Sequence, residues 1–182
     1  MTTILRPVGA LEPAGTDPHP SAWDLSESLT IAVDASSTDT REALRRLDLT
    51  APAKRALHAF DATDRVALGP ALVGGARTGL PVLGLIVRLD GSRPPERVAP
   101  HAFEAFSSPG HIKVRWEVLV EPAEAGAYLS IRTRVAATDD RSRARLLDAW
   151  GILGALSRTV AERAARSVRA YAEDVLADQL AA

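Results

Sequence analysis

The stretch from His111 to the C-terminus constrains this chain's fold more than any other. From His111 to Glu121, Val114, Trp116, Val118 and Val120 alternate with Lys113, Arg115, Glu117 and Glu121. That period of two marks a half-buried strand. Pro122 to Gly126 reads as a hairpin turn, and Tyr128 to Ala137 returns with Leu129, Ile131, Thr133 and Val135 on the inward side. Some forty residues of helix pattern follow, from about Asp140 to Leu180. Leu146, Trp150, Leu153, Ser157, Val160, Ala164, Val168, Tyr171 and Val175 recur at steps of three and four, so they share one helical face. At about 1.5 Å per residue, such a helix is roughly 60 Å long. Gly151 and Gly154 are its expected weak point. Two strands feeding one very long terminal helix predict a sheet that grips a helix, with room for a small molecule between them.

The rest of the chain fits that layout. Residues 1–26 carry Pro7, Pro13, Pro18 and Pro20 with Gly9 and Gly15, and show no usable period. They are expected to form a flexible arm before a domain spanning 27–182, with Trp23 docking on the body because its apolar area is costly to leave in water. Leu29, Ile31 and Val33 mark a first strand. Ser36-Ser37-Thr38-Asp39 supplies helix-start chemistry, with Asp39 and Glu42 at capping-box spacing. A second short helix begins at Thr50-Ala51-Pro52, with Leu57 and Phe60 inward. Arg65 to Val73 and Leu80 to Leu89 are strand candidates. The second is apolar throughout, and helix competes there, but Pro81, Gly84 and the β-branched residues favour a strand. Thr138-Asp139-Asp140 starts the last helix, with Thr138 as its expected cap.

Composition excludes several function classes. A length of 182 residues favours one domain with a sizeable core. The net charge of −1 gives no bulk attraction for nucleic acid or anionic membrane. With no cysteine, neither a disulfide framework nor a thiolate metal site is possible. No apolar run approaches the roughly 20 residues that span a bilayer, so integral membrane association is not expected. Met1 to Pro7 lack the long apolar segment of a secretory signal. The expected location is the cytoplasm.

The order of elements resembles the START-like superfamily, also called SRPBCC. The resemblance is sharper to a bacterial subgroup of polyketide-cyclase-like and lipid-transport-like sequences. Three motifs carry it. The first is Phe103, Phe106, Pro109, Gly110, Lys113 and Trp116. The second is Leu129, Ser130, Thr133, Arg134, Val135, Ala137, Thr138 and Asp139, and the third is Trp150. The match runs from about 28 to 176, strongly from 103 onward and weakly from 61 to 90. Ile131 and Arg132 stand where the subgroup has Thr-Glu, Ala149 replaces a Tyr, and Ala155-Leu156-Ser157 replaces a Pro-Gly-Ser break. The missing carboxylate removes support for acid–base work at position 132. The missing proline favours a continuous helix.

What the resemblance implies is an α+β helix-grip fold. A curved antiparallel sheet of about six further strands would wrap the long helix, with two short helices after the first strand. It also implies an interior cavity for an apolar or amphipathic ligand. It implies no particular chemistry, because one fold hosts carriers, sensors and enzymes.

The expected ligand-binding set is Phe106, Trp116, Val118, Ile131, Thr133, Trp150 and Leu153. The bland alternative for Trp116 and Trp150 is core filling. His19, His58, His101 and His111 include no pair at helical ligand spacing, so no metal or other cofactor is expected. His111 reads as a surface loop histidine. Arginines of the last helix share it with Asp148, Glu162, Glu173 and Asp174, which argues for a solvated face rather than nucleic-acid binding. Arg132 and Arg134 are placed to pair with Glu117 across strands on the outer sheet face. No Gly-x-Ser-x-Gly elbow and no phosphate loop is present. The sequence therefore favours a binding or transport protein for a small hydrophobic molecule. A cyclase- or dehydratase-type enzyme and a filled-core structural or regulatory protein are the alternatives.

Overall fold

The structure is a computed structural model that describes residues 23–59, 65–75, 79–89 and 96–181. Residues 1–22 and Phe60, on which the arm and an inward contact were expected, lie outside the described residues. The elements in order are β1 (Leu25–Val33), α1 (Ser37–Arg46), α2 (Thr50–Ala59), β2 (Val66–Gly74), β3 (Val82–Arg88), β4 (His111–Ala123), β5 (Gly126–Ala137) and α3 (Asp140–Ala181). A 3-10 turn, Pro100–Ala102, lies between β3 and β4. The fold is α+β. The strands form one antiparallel sheet in the order β1-β5-β4-β3-β2.

The β4–β5 hairpin is the spine of the sheet. Ile112 pairs with Ala137 at one end and Ala123 with Gly126 at the other. Gly126 has φ +104°, and a Cβ there would lie 2.2 Å from the Val33 carbonyl oxygen, so turn geometry and the neighbouring strand both demand glycine. Val114, Trp116, Val118 and Val120 of β4 and Leu129, Ile131, Thr133 and Val135 of β5 are buried, as alternation predicts. They face α3, which packs on β5, β1 and β4, and α1, which packs on α3. Leu146, Ser157, Val160, Ala164 and Val168 form the buried stripe of α3.

Several expectations change in detail. Five strands are described, with four rather than six after the two helices. The segment before β4 carries Pro100, Pro109 and Gly110 and docks by the 3-10 turn instead of adding a strand. β1 begins at Leu25, two residues before the expected domain start. Asp24 already belongs to the body: its amide donates to the Val135 carbonyl at 2.8 Å, and its carboxylate accepts from Ala137 N at 2.7 Å and from Arg143 Nε at 2.7 Å. The α1 cap is Ser36, whose Oγ accepts from Asp39 N at 3.1 Å. Glu42 instead holds Arg45 and Arg46, at 2.7 Å each. Among the described residues, no helix is long and apolar enough to cross a membrane.

Candidate functional site

Six of the seven expected ligand-binding residues gather on the inner side of the sheet. Trp116, Val118 and Ile131 belong to the main hydrophobic cluster, and Trp150 and Leu153 pack against it from α3, half-buried. Thr133 is the cross-strand neighbour of Trp116. The sheet residues of this set are only 3–5% exposed. These side chains pack closely on one another between sheet and α3 at this level. One group is left over: the Trp116 indole N–H is buried and has no acceptor among the described residues. Nearby on facing elements, the Ser157 hydroxyl donates to Thr133 Oγ1 at 3.5 Å, the long limit of a hydrogen bond.

Phe106 is not part of this set. It packs on the opposite face of the sheet, against a second cluster of Ala67, Leu68, Ile86 and Phe103. The reason is local. Phe103 seats over Gly84 of β3, where a Cβ would lie 3.0 Å from two of its ring carbons, and this turns the 103–110 segment onto the outer face. Trp23 docks in the same cluster, as expected, and Lys113 Nζ lies 5.8 Å from its ring centroid and 5.9 Å from that of Phe103. Burial holds the Lys113 ammonium below its ordinary pKa. On this face Glu117 pairs with Arg115 at 2.8 Å and lies 3.8 Å from Arg134, so the expected outer-face pairing forms through Arg134.

His111 is buried rather than a surface residue, at 7% exposure. It is the first residue of β4, its Nδ1 lies 3.0 and 2.9 Å from the Ser108 and Pro109 carbonyl oxygens, and Phe106 meets its ring edge-on at 5.0 Å. Beside it, Asp139 joins two elements. Its carboxylate accepts from Gly110 N at 2.6 Å, from Ser142 N at 2.9 Å and from Ser142 Oγ at 2.7 Å. These bonds, led by that of Gly110, hold the Asp139 carboxyl well below the usual carboxylate range. Asp139, not Thr138, therefore caps α3; Thr138 Oγ1 instead donates to the His111 carbonyl at 3.0 Å. Gly110 takes φ +85°, which suits glycine. The Phe-x-x-Phe-x-x-Pro-Gly motif and the Thr-Asp pair thus form one architectural clamp between β4 and α3.

A groove with room for a ligand lies along the β2 edge of the sheet. It has a volume of about 420 Å³ and runs between α2 and β2, with Arg97 and Val98 on its far side. Leu57, Val66, Ala67, Leu68, Pro70 and Val98 make its lining mostly apolar, and Gly69 lies among them. Leu57 and Val66 also pack on the main cluster, whereas Ala67, Leu68 and Val98 belong to the second, so the groove opens where the two cores meet. β2 is the edge strand, and its register to β3 shifts between Leu68 and Ala71. Pro70 is tolerated at such an edge because it has no amide to donate to a ladder. The polar residues of the groove are Lys54 and His58 on α2 and Arg97 opposite. Among the described residues, no carboxylate lines it. No group of acidic or histidine side chains among the described residues is arranged to hold a metal ion.

Sequence reasoning missed this groove. Its one sequence signal is Gly69-Pro70 inside an apolar run, which reads as punctuation between elements but marks an irregular edge strand.

No family model and no curated protein matches the chain. Among solved structures it is similar to the di-domain ARO/CYC StfQ from the steffimycin biosynthetic pathway, at 12% identity and a TM-score of 0.37, over 86% of this chain and 53% of that one. It is similar to the di-domain ARO/CYC BexL from the BE-7585A biosynthetic pathway at 19% identity and a TM-score of 0.35, over 85% and 50%. Similarity to the Zhui aromatase/cyclase from Streptomyces sp. R1128 is 17% identity and a TM-score of 0.31, over 80% and 96%. The chain spans about half the length of the two di-domain proteins. At these scores the likeness assigns no chemistry.

Proposed function

We propose that this protein binds a small apolar or amphipathic molecule in the groove between α2 and the β2 edge. The observation that carries this reading is the groove itself, with about 420 Å³ of space and a mostly apolar lining. That volume lies within the range of small-molecule sites, roughly 300–1,000 Å³. Burial of ligand surface would drive binding at about 25 cal/mol per Å² before ordering costs. The interior beneath α3, with Trp116 and Ile131 at its floor, is then the packed support of the site rather than the site.

Binding is favoured over catalysis by what lines the groove. A cyclase-type reaction calls on a positioned acid–base pair, and among the described residues the groove offers the His58 imidazole without a carboxylate.

The test is a calorimetric titration with decanol, an uncharged chain. Wild type is expected to bind saturably, at one site. Gly69→Phe is the occluding variant. A Cβ at Gly69 meets nothing within 4 Å, so a larger side chain has room to grow without displacing core atoms. It is expected to fold as wild type and to lose binding. Undiminished binding in a folded Gly69→Phe protein contradicts the proposed location.

A further inference from the structure

We infer that the groove selects ligands with an anionic head group on an apolar chain or ring, held by Lys54 and Arg97. This deepens the reading above and rests on it. Lys54 lines the groove from α2, and Arg97 from the segment between β3 and β4. Among the described residues neither forms a salt bridge or a hydrogen bond, although the fold pairs many of its other cations. Arg45, Arg46, Arg115, Arg143, Arg158 and Arg169 all have carboxylate partners within 2.9 Å. Among the described residues, Asp48 feels the Lys54 charge, but its carboxyl is held first by the Thr50 hydroxyl and by the Thr50 amide at 2.9 Å. Among the described residues, the groove thus gathers two cations without an ion-pair partner along an apolar lining, and no acid lines it. A neutral chain would leave both without a counter-charge. A carboxylate or phosphate at the channel mouth would supply one, while the chain lies along Val66 and Leu68. Arg97 suits this role further because its planar fork can bind two oxygens at once.

The experiment compares decanoate, monodecyl phosphate and decanol on the full chain by calorimetric titration at low and moderate salt. Wild type is expected to bind at least one of the two anions roughly tenfold more tightly than decanol, with the preference narrowing as salt rises. The better of the two identifies carboxylate or phosphate as the head group. Lys54→Gln combined with Arg97→Gln should remove the preference, so that both anions bind no more tightly than decanol does to the same variant. Both positions are exposed, so the double variant is expected to fold. If decanol binds as tightly as both anions, or the double variant keeps the anion preference, the inference fails and groove binding stands. If none of the three binds, the groove reading itself fails, and the inference with it.

Discussion

Adding a single methyl group at Gly84 tests the packing of the outer-face cluster, and with it the reading of the Phe103–Gly110 motif as architecture. A Cβ at Gly84 would lie 2.6 Å from Val73 Cγ1 and 3.0 Å from two carbons of the Phe103 ring. Carbon atoms pack best at about 3.5–4.0 Å, so the shortfall is roughly 0.5–1 Å against the Phe103 ring and roughly 0.9–1.4 Å against Val73. Phe103 cannot swing outward freely, being only 1% exposed. Overpacking of this kind costs about 1–3 kcal/mol. For a chain of this length each kcal/mol lowers the melting temperature by about 2–4 °C. Gly84→Ala is therefore expected to melt roughly 2–12 °C below wild type, followed by far-UV circular dichroism. Gly69→Ala, on the neighbouring strand, is the internal control. Its methyl group meets nothing, and the entropy removed from the unfolded chain gives about 0.4–1 kcal/mol in its favour. Replacing the ring by Phe103→Leu in the Gly84→Ala background should recover part of the loss. A Gly84→Ala protein that melts with wild type would refute the reasoning, because the segment would then not be seated on β3.

Two further outcomes follow from the same contacts. Asp139→Asn should lower the melting temperature, because an amide is a poorer acceptor for Gly110 and Ser142 than a carboxylate. Since the folded state lowers the Asp139 pKa, the carboxylate's contribution is fully present above the ordinary Asp range and fades as pH falls through the lowered value. Acid titration of the melting temperature should accordingly be shallower in Asp139→Asn than in wild type, and parallel curves would contradict the clamp. Trp150→Ala should cost about 2 kcal/mol by chemical denaturation, below the 3–5 kcal/mol of a fully buried ring, because Trp150 is half-buried against Gly154. An unchanged midpoint would show that the ring does not pack on the core.

The parts of this fold that could be read from the sequence are those fixed by local period. Val114 to Val120 and Leu129 to Val135 reveal their buried face by alternation alone, and α3 reveals its stripe by recurrence from Leu146 to Val168. Caps were legible to within a residue or a turn. Ser36 and Asp139 compete with neighbours of the same chemistry, and only the backbone geometry decides which side chain turns back. Phe106 was not legible, because its face depends on Phe103 finding Gly84, some twenty residues away in sequence. The groove was illegible for the same reason. Lys54, Leu68 and Arg97 meet only after α2 has folded along the edge strand and the chain has returned past it.

The most direct test of the groove as the binding site is an amide and indole chemical-shift titration with decanoate. The account predicts saturable shifts at Leu57, His58, Val66 to Gly69 and Val98, with the Trp116 indole and the Thr133 and Ser157 amides unmoved. Saturable shifts centred on Trp116, Thr133 and Ser157, with the groove residues still, would contradict it and place the ligand beneath α3.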